Sequence, residues 1–153
     1  MTSEELKEDI AIELENIETV LRELSSLYGD VKGRDAIVRE KTAAAAFLAQ
    51  FYNGVENILK RITRFYRMPL PSGDTWHIEL FKQFGEPSSS PLPVLFDDVL
   101  SSALAPYRKF RHVVHHGYGF QLEWDRMIEG IESAEAVFLR FKATLSAFLI
   151  TLD

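Results

Sequence analysis

The segment AAAAFLAQFYNGVENILKRITRF, residues 43–65, carries apolar side chains at Ala44, Leu48, Phe51, Val55, Ile58, Ile62 and Phe65. Steps of four and three alternate, the period that lines one face of an α-helix and not that of a strand. Met68-Pro69 marks its end, because proline disfavours the helical conformation in the residue before it. Upstream of the turn-forming GDVKGRD, the same spacing runs through Leu6, Ile10, Leu14, Ile17, Leu21, Leu24 and Tyr28. Thr2 and Glu5 are spaced for a capping box at the start of this first helix, and Gly29 suits its end. The second helix is long, with room for one break near its start.

Downstream, PLPSGD is a turn from which Asp74 can cap a short helix through Trp76, Leu80 and Phe84. EPSSSPLP reads as a linker. Ser90 as N-cap with Pro91 in the first turn predicts a fourth helix, with Asp97 and Asp98 near its positive end and a stripe at Phe96, Leu100, Ala103, Tyr107, Phe110 and Val114. Gly117 and Gly119 end it. A fifth helix begins near Glu123 and carries Trp124, Ile128, Ile131, Phe138, Phe141, Leu145, Phe148 and Leu152 on one side. No segment alternates with the period of a strand. The expected fold is all-α: an up-and-down four-helix bundle with an additional short helix, a single domain over residues 1–153, its eleven phenylalanines mostly core.

With 46% hydrophobic residues the chain can close a core, and with no cysteine it has neither a disulfide framework nor thiolate chemistry. The N-terminal MTSEELKEDI is acidic where a secretory signal is basic and then apolar. The longest apolar run, around Ala43 to Ala49, is far short of the roughly 18–20 residues that span a bilayer. A cytoplasmic protein without a membrane segment is the expectation. The net charge of −6 counts against nucleic-acid binding. The whole of it, however, comes from residues 1–32, where nine acids oppose Lys7, Arg22 and Lys32; acids and bases balance in the remainder.

Three of the four histidines fall in Tyr107-Arg108-Lys109-Phe110-Arg111-His112-Val113-Val114-His115-His116-Gly117-Tyr118-Gly119, with three basic residues and no acid. A guanidinium fork suits phosphate oxygens and an imidazole exchanges a proton near neutral pH, so this stretch holds both groups that phosphodiester cleavage needs. Arg111 and His115, four apart, share a helix face, whereas His116 lies about 140° around an ideal helix from Arg111. The glycines that end the helix could swing His116 back toward Arg111, and spacing leaves the two histidines as alternatives. The bland reading is that these residues cap the negative end of a helix. Metal binding is a weak rival, because His115 and His116 point apart and no acidic cluster completes a ligand set. No metal and no cofactor is expected.

Arg111-His112-Val113-Val114-His115-His116-Gly117-Tyr118 reads as R-x-x-x-x-H-x-Y at the end of the fourth helix of a bundle, and resembles the HepT-like toxins of the HEPN superfamily. FYNGVENILKRI, Trp76-His77 and the glycine turn leading to Trp124-Asp125-Arg126 fit the same resemblance, which extends from about residue 40 to 145. It implies a metal-independent ribonuclease, active as a homodimer with two motifs facing each other, and the toxin of a toxin–antitoxin pair. By that analogy His116 is the acid/base, Arg111 stabilises the phosphate, His112 supports them, and Tyr118 is the tyrosine that a cognate nucleotidyltransferase antitoxin modifies with AMP. His115 has no role assigned by the resemblance.

Arg108, Lys109 and His115 are further candidates for RNA contact. So are Lys60, Arg64 and Arg67, which share a side of the second helix and could track an RNA backbone, or could pair with acids of the first helix. His77 reads as a packed or capping histidine. Tyr52, Asn53 and Glu56 border the site or simply finish the bundle. Two non-enzymatic alternatives are a helical module that binds a nucleotide or a nucleotidyltransferase, and a structural adaptor.

Overall fold

The computed structural model describes residues 1–152. Its helices are α1 (Ser3–Val31), α2 (Val38–Phe65), α3 (Trp76–Lys82), α4 (Asp98–His116) and α5 (Trp124–Ile150), with a 3₁₀ turn at Gly119–Gln121 before α5. Among the described residues there is no strand, so the all-α bundle expected from the hydrophobic period is the one that forms. No described helix is long and apolar enough to cross a membrane.

The predicted capping box is present. Thr2 Oγ1 accepts from the Glu5 amide at 3.1 Å, and the Glu5 carboxylate accepts from the Thr2 amide at 2.9 Å. The helix does not stop at Gly29 but runs on to Val31, which is fully buried. A glycine inside a helix costs about 1 kcal/mol relative to alanine, while burying a valine is worth about 1.5 kcal/mol or more, so the apolar anchor wins. The chain turns instead at Gly33, whose φ of +90° lies in the region that glycine adopts without strain.

The second helix is unbroken. It starts at Val38, where Glu40 accepts from the Ile37 amide at 3.0 Å and is gripped by both Nη atoms of Arg34 at 2.7 and 2.8 Å. Against α1 it packs closely at Gly54, where an added Cβ would stand 2.7 Å from Ile17 Cδ1. Phe51, fully buried in mid-helix, meets Tyr107 of α4 and Phe138 of α5 edge to face at 5.1 and 6.5 Å. These rings tie three helices into one core.

Two boundaries differ from the sequence expectation. Asp74 does not cap α3; Thr75 stands at the N-cap and no side chain bonds the free amides there. α4 begins at Asp98 and not at Ser90, because Pro93 disfavours a helical Leu92 and burial of Phe84, Leu92, Leu95 and Phe96 holds this segment in an irregular path. Asp97 is the cap, accepting from the Leu100 amide at 2.8 Å. Residues 83–97 are irregular yet anchored, since Phe84, Leu92, Leu95 and Phe96 are buried and the Leu95 and Phe96 amides both donate to the Phe84 carbonyl. The phenylalanines are core or packed against it, with the exception of Phe120, which is 66% exposed.

Candidate active site

The C-terminal half of α4 and the start of α3 enclose a cleft of about 960 Å³. Arg108, Lys109, Arg111, His112, His115 and His116 line it from α4, opposite Trp76, His77 and Ile78. The basic stretch singled out by composition is therefore gathered on one concave surface. α4 stays helical through His116, so the glycines do not swing that residue toward Arg111. Its ring instead lies over that of His112, one turn earlier, with centroids 4.5 Å apart.

His115 sits within electrostatic reach of Arg111, His116, His77 and Glu56. Desolvation lowers its pKa from the ordinary histidine value, Coulombic repulsion from Arg111, and from His116 and His77 when they carry charge, lowers it further, and Glu56 opposes this. Neutral imidazole is the form able to accept a proton.

Arg111 is held from below by residues of two other helices. Its Nε donates to Asn53 Oδ1 and lies 3.6 Å from Glu56 Oε1, while its Nη1 meets His77 Nε2 at 3.1 Å. His77 Nδ1 is in turn 2.6 Å from Glu56 Oε2. Glu56 is only 2% exposed, and a carboxylate so deeply buried requires a cation and hydrogen bonds. Tyr52 lies beside this group under the influence of Glu56, Arg108 and Arg111, and burial above all pushes its phenol pKa up, so it remains protonated.

Asn53, Glu56 and His77 are thus part of the site, beyond what residue spacing assigned to them. The signal was present: Asn53 and Glu56 interrupt the apolar face of α2 between Phe51 and Ile58, and a charge placed there must find a partner.

Arg108 stacks over Phe81 at 5.1 Å, and Lys60 covers the Trp76 ring at 4.3 Å, which brings Lys60 to the rim of the cleft. Arg64 and Arg67 do not line the cleft. Of the acids of α1, Asp9 and Glu13 pair with Arg61 and Glu18 pairs with Lys142. Among the described residues no carboxylate forms an ion pair with Lys60, Arg64 or Arg67.

Tyr118 lies just past the helix, outside the lining of the cleft and 69% exposed, with its ring stacked on Phe120 at 5.6 Å. The turn that carries it is pressed against α2. A Cβ at Gly119 would collide with Thr42, and Lys41 Nζ donates to the Leu122 carbonyl at 3.0 Å. Among the described residues no three His, Asp or Glu side chains come together as a metal-binding group.

Residues 43–152, from the first turns of α2 through α5, match the family described as HepT-like protein. No curated protein and no solved structure matches the chain. With most of its length matched and a helical bundle of the expected kind, the chain belongs to the HepT-like family of the HEPN superfamily, whose members are generally ribonucleases.

Proposed function

We propose that this protein is a metal-independent endoribonuclease, the toxin of a toxin–antitoxin pair, acting in the cytoplasm as a homodimer. The observation that carries the reading is the convergence of Arg111, His112, His115 and His116 on one cleft. Family membership supports it.

In this mechanism a neutral imidazole, that of His116 at the motif position, removes the proton of a ribose 2′-hydroxyl. The 2′-oxygen forms a bond to the adjacent phosphorus, and Arg111 stabilises the charge that grows on the non-bridging oxygens. The bond from phosphorus to the 5′-oxygen breaks, and that oxygen takes up a proton. The products are a 2′,3′-cyclic phosphate and a 5′-hydroxyl, and DNA, which lacks the nucleophile, is left intact. His112, with its ring against that of His116, supports the acid/base, and His115, which lines the same cleft, is the alternative proton acceptor. Arg108, Lys109 and Lys60 attract the flanking phosphates.

Exposed Tyr118, two residues beyond His116, is open to AMP transfer by a cognate nucleotidyltransferase. The added phosphate would compete with RNA for Arg111 and repel the incoming backbone.

The test is to incubate the partner-free protein with single-stranded RNA in the presence of a chelator and to identify the new ends. Cyclic phosphates that disappear in His116→Ala and Arg111→Ala support the reading. Intact RNA together with tight binding of a nucleotidyltransferase identifies a non-catalytic binding module instead.

A further inference from the structure

The contacts beneath Arg111 constrain protons as well as positions. A carboxylate only accepts hydrogen bonds, so at 2.6 Å from Glu56 Oε2 the Nδ1 of His77 must carry a hydrogen. A guanidinium only donates, so the Nε2 of His77, 3.1 Å from Arg111 Nη1, must be bare. The two demands are met together by one form of the ring, neutral and protonated on Nδ1. Arg111 Nε is meanwhile committed to Asn53. Of the five guanidinium hydrogens, the second on Nη1 and both on Nη2 are left for a phosphate. Two separate helices thus hold the guanidinium at Nε and at Nη1 and leave its remaining three hydrogens free.

We propose that His77, braced by buried Glu56, is a positioning residue: it orients the Arg111 guanidinium so that its outer end meets the scissile phosphate. This assignment rests on the ribonuclease reading for its consequence in catalysis. His77 itself exchanges no proton with RNA. Its contribution is to hold a donor where charge develops, which saves reorganisation at the moment of reaction.

The experiment compares His77→Ala and His77→Gln with the unaltered protein on single-stranded RNA. A glutamine amide can donate to Glu56 through its nitrogen and accept from Arg111 through its oxygen, but cannot act as an acid or base. His77→Ala is expected to lower kcat about 100-fold, the scale of a misplaced catalytic group, with KM little changed. His77→Gln is expected to recover to within about tenfold of the original, the residual loss being on the scale of weakening one hydrogen bond. A folded His77→Gln protein as inactive as His77→Ala overturns the proposal and makes His77 a proton-transfer group. A fully active His77→Ala overturns it too.

Independently of activity, ¹⁵N NMR of the unliganded protein at neutral pH should show His77 protonated on Nδ1 and bare on Nε2. The Arg111 Nε–H signal should shift in His77→Ala and return in His77→Gln. The opposite tautomer, or an Arg111 signal indifferent to both variants, overturns the proposal. If RNA stays intact while these signals behave as expected, the ribonuclease reading fails and the positioning of Arg111 stands.

Discussion

The imidazoles of His112 and His116 lie one helical turn apart with ring centres 4.5 Å from each other and planes inclined by 48°. His116 therefore packs against His112 along α4, while His115 and Arg111, also one turn apart, share another face of the same helix. Both faces open into one cleft, so substrate bound there meets, from α4, the guanidinium groups of Arg108 and Arg111 and the imidazoles of His112, His115 and His116.

Loss of His116 should reduce kcat by about 10²- to 10⁴-fold with RNA still bound, the usual contribution of a general acid or base. Single-turnover cleavage together with a separate binding titration checks this. If His115→Ala shows the larger loss, the proton-transfer role belongs to His115.

His115 should titrate below about 6.5, the ordinary histidine value, because desolvation and the nearby Arg111 guanidinium disfavour its charged form. Its neutral form then persists to lower pH than that of an unperturbed histidine. Removing that charge, as in Arg111→Gln, should raise the value. Proton NMR of the His115 ring through a pH series in both proteins measures the difference, and a shift downward in Arg111→Gln contradicts the electrostatic account.

Arg111→Lys should behave like a loss and not like a conservative change. One ammonium cannot bond Asn53 and His77 while also presenting a planar fork to phosphate. A fall in kcat/KM of about 10²-fold or more is expected, on the scale of removing one transition-state donor. Activity near the original level in Arg111→Lys contradicts the assigned geometry.

Glu40 is held down to about 2, first by its bonds to Arg34 and then by the Ile37 amide. A carboxylate with a depressed folded-state value stabilises the fold above its ordinary value near 4.5 and ceases to as pH falls from there through about 2. The difference in melting temperature between the original protein and Glu40→Gln should be present at pH 6 and shrink to nothing near pH 2. A difference constant across that range contradicts this cap.

Gly54→Ala should destabilise the bundle by about 1–3 kcal/mol, the cost of overpacking, because the new methyl meets buried Ile17. Urea denaturation measures it. Ile17→Ala in the same chain should remove part of the penalty, since two residues in contact are not additive. Simple additivity of the two changes contradicts close packing at this point.

Hydrophobic spacing alone was enough to determine five helices and the core stripes of α1, α2 and α5, because burying an apolar face at a period of 3.6 residues is a local property of the chain. The Thr2–Glu5 cap and the start of α5 at Glu123 were legible for the same reason. The start of α4 was not, since Ser90 and Asp97 are both good caps and the buried path of residues 84–96, together with Pro93, selects between them. The basic stretch at the end of α4 likewise announced its chemistry through composition. What lies opposite it was decided by tertiary structure: Asn53 and Glu56 come from α2 and His77 from α3, and sequence distance carries no information about which helices meet. Orientation of the Arg111 guanidinium depends on those three partners, so its aim is a property of the folded bundle, whereas its presence was written in the motif.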